Sequence, residues 1–174
     1  TVEFEGPQLT NVEYALCAEE MGRLGFSSEV FNCSAPDTGN MEVFHRYGTA
    51  EQKKEWLVPL MNGEIRSAFL MTEPAVASSD ATNIETRMVR DGDEYVINGN
   101  KVMISNGTEA QFLLVYCLTN PDETSKTRRH SILIVETDRP GYKADRIHGK
   151  MGLHASDTAN IYFNNVKVPK ENLV

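Results

Sequence analysis

The stretch from Phe69 to Asn83 holds the residue types and order best suited to chemistry in this chain. An apolar run, Phe69-Leu70-Met71, gives way through Thr72-Glu73-Pro74 to Ala75-Val76-Ala77-Ser78-Ser79-Asp80-Ala81-Thr82-Asn83, which is small and hydroxylated. Pro74 holds Glu73 extended and ends the strand before it. The short side chains that follow leave backbone N–H groups and hydroxyls open to a ligand, as a loop that binds a phosphate or a flat ring requires. The same composition also fits an ordinary surface loop, because neither a G-x-G-x-x-G run nor a Walker loop is present. A second candidate is charge. Residues 126–150 carry seven basic side chains (Lys126, Arg128, Arg129, Arg139, Lys143, Arg146 and Lys150) against three acidic ones. Such a patch either draws phosphates at short range or is a solvated loop. Metal chemistry is not expected: Cys17, Cys33 and Cys117 are far apart, and His45, His130, His148 and His154 show no ligand spacing. Three scattered cysteines build no disulfide framework and fit a reducing interior.

The elements that must hold these residues divide into two kinds. With 174 residues, 40% apolar and 24% charged, the chain can bury a core. No run approaches the roughly 20 apolar residues of a bilayer span, and Thr1-Val2-Glu3-Phe4-Glu5 lacks the basic and apolar regions of a signal peptide. Seventeen Lys and Arg against twenty-five Asp and Glu give a net charge of -8, which opposes a nucleic-acid footprint. The first third reads helical. Thr10-Asn11-Val12-Glu13 is a capping box opening a helix to about Leu24, closed by Gly25. A second helix starts at Ser27 or Ser28 and stops at Pro36; a third runs from near Asn40 to Gly48. Thr49-Ala50-Glu51-Gln52 is another capping box, opening a helix through Trp56, Leu57 and Leu60 to Gly63.

From Arg66 onward the period becomes two, which predicts antiparallel strands of a barrel or sandwich and an α+β chain overall. Strands are expected at 67–72, 84–90, 94–98, 101–105 and 160–163, with Asn98-Gly99-Asn100 and Asn106-Gly107 as turns. Phe112–Leu118 and Ser131–Glu136 are nearly continuous apolar runs, hence buried strands, separated by a polar loop over 119–130. Thr1 is not an initiator methionine, and the tail 169–174 stops where a new element would begin. The expectation is a segment of a longer protein.

Thr72-Glu73-Pro74 with Ser78-Ser79-Asp80 resembles the flavin-binding signature of the acyl-CoA dehydrogenase family. Further blocks follow in the family's order: Tyr95 to Lys101 continuing to Asn106-Gly107, Lys150 to Thr158, and Phe163 with Val166-Lys167-Val168-Pro169. Upstream, Tyr47 to Lys54 with Leu57, Pro59, Leu60 and Gly63-Glu64 is similar to the lead-in to the family's middle domain. The resemblance implies the end of an N-terminal helical domain over 1–65, a middle β-domain binding flavin and acyl-CoA over 66–168, and the start of a C-terminal helical domain over 169–174. It implies FAD held by Phe69, Met71, Thr72, Ala77, Ser78, Ser79, Met103, Ile104 and Ser105, with Ser79 also touching the CoA thioester. It further implies a homodimer or homotetramer, electron-transferring flavoprotein as partner, and a mitochondrial, peroxisomal or bacterial cytoplasmic setting rather than secretion.

Several positions depart from the pattern. The signature loop is one residue longer than usual, with Ser78 where Gly is expected, and with Phe69-Leu70-Met71 it most resembles the branch of family members ten and eleven. Met103 stands for the common tryptophan; a thioether can fill that space, but the surface for electron exit is altered. His154 stands where most members carry Arg, or is an ordinary surface histidine. The family's reaction is α,β-dehydrogenation of an acyl-CoA to the trans-2-enoyl thioester, with a glutamate base from the C-terminal domain. Glu73 is no substitute, because the family treats its equivalent as structural, so no catalytic base is expected within these residues and the chain by itself is expected to be inactive. An oxidase or flavin monooxygenase on the same fold, and a non-catalytic binding or assembly module, are the alternatives.

Overall fold

The structure is a computed structural model that describes residues 6–174. Thr1–Glu5, read above as unlike a signal peptide, lies outside the described residues. The chain forms two compact units, one ending at Ala35 and one spanning Pro36–Val174.

In the first unit, α1 (Asn11–Met21) is capped as expected: the Thr10 hydroxyl accepts from the Glu13 N–H while the Glu13 carboxylate accepts from the Thr10 N–H. It ends at Gly22, short of Gly25. None of its residues is buried, and Val12 and Leu16 lie exposed on it. A short α2 (Ser27–Val30) follows.

The second unit begins with α3 (Asp37–Tyr47), for which Pro36 is the N-cap; proline therefore opens this helix, at a position where its missing N–H costs no bond of the helical ladder. Then α4 (Ala50–Gln52), capped by Thr49 and Gln52 as expected, runs into a π-helical turn, Lys53–Leu57, and on into α5 (Val58–Met61). Pro59 has no N–H for the regular ladder, and a wider turn just before it accommodates the missing bond. Gly63, at φ +72°, lets the chain leave.

The strands are β1 (Ser67–Leu70), β2 (Arg87–Asp91), β3 (Glu94–Ser105), β4 (Phe112–Leu118), β5 (His130–Glu136), β6 (Tyr142–Arg146) and β7 (Thr158–Pro169). They form one sheet in the order β1-β4-β2-β3-β7-β6, with β5 on β4. The sheet is mixed rather than wholly antiparallel: β4 runs parallel to β1 along Ser67–Leu70 and to β2 at Arg87, and antiparallel to β5. One strand thus has β5 along one edge, and β1 then β2 along the other.

Two expected turns resolve differently. Asn106-Gly107 does turn, with Asn106 at φ +61°. Asn98-Gly99-Asn100 does not: β3 passes straight through it, with a register shift against β7 between Ile97 and Gly99. The glycine is spent on a bulge, because a Cβ there would sit 2.5 Å from Thr86 Oγ1. The last strand, β7, spans twelve residues rather than four, and β6, hidden in the basic stretch, is a charged edge strand that among the described residues pairs only with β7.

Two apolar layers hold the unit. Ala68, Leu70, Ile97, Leu113, Val115, Leu133, Ile161 and Val166 form a core on one face of the sheet. On the other face Phe112 meets Phe44 of α3 edge-on at 5.7 Å and Trp56 at 5.0 Å. Being covered on both faces is why β4 reads as an unbroken apolar run. A buried carboxylate, Asp37, joins helix to sheet: its oxygens accept from the Ser67 N–H (2.8 Å), the Ser67 hydroxyl (2.6 Å) and Arg66 Nε (2.6 Å). Within the core, burial pushes the Cys117 thiol up to about 12. At neutral pH its thiolate is thereby some thousandfold scarcer than that of an ordinary cysteine. Cys117 is expected to stay unmodified by iodoacetamide in the native protein and to react once the protein is unfolded in urea, as peptide mass mapping will show.

Candidate functional site

The small-residue loop leaves the sheet at the end of β1. Thr72 O accepts from Val102 N–H at 2.9 Å, which sets the end of β1 beside β3 at a second bulge, between Lys101 and Ile104. At this bulge Met103 has φ +59° and is 71% exposed. The strand is kinked so that Met103 stands out from the sheet while Ile104, 3% exposed, drops into the core.

Behind the loop lies a buried ion pair. The Lys101 side chain is wholly buried and that of Glu73 nearly so, with Nζ to Oε1 at 2.9 Å. The ammonium also donates to Met71 O at 3.0 Å and Tyr116 O at 2.8 Å. The carboxylate in turn accepts from the Glu85 and Thr86 N–H groups at 2.8 and 2.9 Å. Burial pushes the Glu73 carboxyl up, but hydrogen bonds from Thr86, Lys101 and Glu85 outweigh it and leave it below its ordinary value. Burial pulls the Lys101 ammonium down, and Glu73 offsets only part of that. An acid held this way is saturated with donors, in keeping with the structural part expected of Glu73. The part Lys101 plays is not among the sequence expectations. The signal available was a lysine in β3 between Ile97 and Ile104, the two residues buried with it on the inward side.

The loop is built from short-range bonds. Ser78 N–H donates to Val76 O at 2.8 Å, and the Asp80 carboxylate accepts from the Thr82 N–H and hydroxyl at 3.0 and 2.7 Å, which holds its carboxyl below its ordinary value. Of the residues expected to face a ligand, Thr72, Ala77, Ser79, Met103 and Ser105 are exposed, and Phe69 and Met71 are half-buried. Two turn inward. Ser78 is buried, its hydroxyl accepting from the Glu73 N–H at 2.9 Å, and Ile104 belongs to the core. Neither side chain faces outward. A cleft of about 220 Å³, lined by Glu73, Pro74, Ala75, Glu85, Thr86, Gly99 and Asn100, adjoins the loop's base.

The basic stretch is not one patch. Arg139 pairs with Glu136, Lys143 with Asp145, and Arg146 with Asp157, while Lys150 donates to Ser156 O and Thr158 Oγ1. Arg129 donates to Glu123 O at 2.6 Å. A cleft of about 420 Å³ lies among Arg146, Ile147, His148, Gly149, Lys150 and His154, and His154 Nε2 is 2.5 Å from Lys150 O. Among the described residues no group of three or more His, Cys, Asp or Glu is placed to hold a metal, and no helix is long and apolar enough to cross a membrane.

Comparison with known proteins places this geometry. Residues 68–166 match the profile of the acyl-CoA dehydrogenase middle domain, and residues 1–64 that of the acyl-CoA dehydrogenase N-terminal domain. Acyl-CoA dehydrogenase family member 11 of Gallus gallus is 47% identical over 171 residues, which are 95% of this chain and 22% of that protein. This agrees with the branch to which the loop points. Among solved structures, an acyl-CoA dehydrogenase from Geobacillus kaustophilus superposes with a TM-score of 0.84 at 37% identity, over 100% of this chain and 45% of that one. A glutaryl-CoA dehydrogenase from Mycobacterium smegmatis, solved in complex with FADH2, superposes with a TM-score of 0.80 at 34% identity, over 98% and 42%. The chain thus spans about a fifth of its curated relative and under half of either solved neighbour. The order of the motifs, the profile matches and the shared fold agree, and the chain belongs to the acyl-CoA dehydrogenase family.

Proposed function

We propose that the protein catalyses flavin-dependent α,β-dehydrogenation of an acyl-CoA thioester, and that this chain supplies the wall against which the flavin lies. The observation that carries this reading is the exposed loop of small residues between Pro74 and Asp80, anchored from behind by a buried ion pair and edged by the Met103 bulge. A planar ring and a pyrophosphate need such a surface: no bulky side chains, hydroxyls at Thr72, Ser79 and Ser105, and main-chain groups held rigidly. The neighbour solved with FADH2 supports FAD as the group. Bound there, the flavin supplies hydride-accepting redox chemistry, and the chain's own part is orientation and exclusion of water.

In this reading Phe69, Met71, Thr72, Ala77, Ser79, Met103 and Ser105 line the ring and pyrophosphate, Ser78 and Ile104 contribute main chain, and Ser79 also meets the thioester. The α-proton is taken by a glutamate beyond this chain, in a C-terminal helical domain following 169–174. Assembly as a homodimer or homotetramer and electron transfer to an electron-transferring flavoprotein belong to the same proposal. The test is anaerobic titration of the purified full-length protein with acyl-CoAs from short to long. Bleaching of its oxidised-flavin absorption is expected, and the 174-residue chain alone is expected to show none. A full-length protein that binds FAD yet is reduced by no acyl-CoA overturns the proposal. Rapid reoxidation in air would instead favour an oxidase or monooxygenase.

A further inference from the structure

We propose that Lys101 is a positioning residue for the flavin-binding loop, its ammonium and the Glu73 carboxylate it holds together forming the clamp that fixes both ends of the loop at a fork in the sheet. The inference rests on the flavin reading above and adds the device that shapes the site. The fork lies along one edge of β4. Pairing with β1 ends at Leu70↔Val115, and pairing with β2 begins at Arg87↔Leu118. Tyr116 and Cys117 fall in the gap, where that edge of β4 has no strand beside it among the described residues. The chain that leaves β1 at Met71 and returns into β2 at Arg87 is the segment bearing Ala77, Ser78 and Ser79.

Lys101 reaches into this gap from β3. It takes up Tyr116 O on the unpaired stretch of β4 and Met71 O at the outgoing end of the loop, at 2.8 and 3.0 Å. Through Glu73 it also reaches the returning end, whose Glu85 and Thr86 N–H groups the carboxylate accepts. Thr86 O then accepts from the Leu118 N–H at 2.8 Å, closing the fork. Buried carbonyls left without donors are costly, and an ammonium with three donors satisfies two carbonyls and a carboxylate at once. For stability alone an apolar pair would often serve as well as a buried ion pair. The particular contribution of this one is geometric: both stems of one loop meet a single ion pair, the outgoing stem at the ammonium and the returning stem at the carboxylate, and the adjoining Met103 bulge is two residues along the strand from that lysine.

The experiment uses the full-length protein stripped of flavin and titrated with FAD, reading affinity, the absorption spectrum and reduction potential of the bound flavin, and the thermal midpoint. Lys101→Met leaves Glu73 charged and unpaired, so it is expected to lose both stability and FAD affinity. The double variant Lys101→Met/Glu73→Gln removes the stranded charge. It is expected to regain thermal midpoint over Lys101→Met while still binding FAD roughly tenfold or more weakly than the parent, with an altered flavin potential. Glu73→Gln keeps the ammonium on Met71 O and Tyr116 O and an acceptor for the Thr86 N–H but loses the one for the Glu85 N–H, so it is expected to weaken FAD binding clearly less than Lys101→Met does. A double variant that binds FAD as the parent does, with unchanged spectrum and potential, overturns the inference. Should the double variant not fold, Glu73→Gln decides, and a loss of FAD as large as that of Lys101→Met overturns it. A parent protein that binds no FAD overturns both the flavin reading and this one, whereas a parent that binds FAD but is reduced by no acyl-CoA fails the proposed reaction alone.

Discussion

Glu73→Ala is expected to destabilise the β-domain of the full-length protein by about 3–5 kcal/mol, because it strands a buried ammonium. The loss is larger than for an ordinary acid, since the carboxylate also serves the Glu85 and Thr86 N–H groups, and nothing in an alanine side chain replaces it. Hydrogen exchange at the amides of β1, β3 and β4 reads the effect locally, with Glu55→Ala as an exposed control expected within about 0.5 kcal/mol of the parent. The pH dependence has a definite sign. The folded carboxyl lies below its ordinary value of 4.5, so the stability it contributes is present above that pH and is lost as pH falls through the folded value. The gap between parent and variant should therefore be widest near neutrality and narrow in acid. A gap that stays constant as the pH is lowered below 4.5 would contradict the assignment of the cost to the Glu73 charge.

Gly99→Val is expected to cost about 3 kcal/mol or more, from two sources that add. At φ +152° the backbone is one that a β-branched residue rarely adopts, a strain of about 1–3 kcal/mol. The new Cβ would also stand 2.5 Å from Thr86 Oγ1 and 2.8 Å from Thr86 Cβ and Cγ2, an overpacking worth about 1–3 kcal/mol. The damage reaches the site, because the Thr86 N–H is one of the two donors holding Glu73. FAD affinity should fall together with stability. Adding Thr86→Ala removes Oγ1 and Cγ2 but not Cβ, so it should recover only part of the loss. Full recovery in urea unfolding would mean that neither the close approach of Cβ nor the backbone strain matters.

These two positions show where reading residues in order succeeds and where it stops. Both capping boxes formed as expected, because a Thr and the Glu or Gln three residues on close on each other without help from the rest of the chain. The apolar runs at 112–118 and 131–136 became β4 and most of β5, because burial on a crowded sheet needs only their composition. The loop after Thr72-Glu73-Pro74 was legible as a ligand loop from the types of its residues and their likeness to a family. Its orientation was not. Ser78 and Ser79 are adjacent and chemically identical, yet one hydroxyl turns in to Glu73 N–H and the other faces out.

Non-local partners settled the rest. Asn98-Gly99-Asn100 has the composition of a hairpin turn, and only β7 lying beside an uninterrupted β3 makes it a bulge. The parallel pairing of β1 with β4 joins residues 45 apart and leaves no periodic trace in either strand. Lys101 and Glu73, 28 residues apart, look like separate surface charges until β1, β3 and β4 converge and take water away from both. Local sequence was enough for the caps, the buried strands and the family, since each depends on contacts within a few residues or on a pattern that can be matched. Strand order, the fork in the sheet and the facing of the site came from the tertiary structure alone, because a side chain's role there depends on which distant backbone leaves a carbonyl or N–H unpaired beside it.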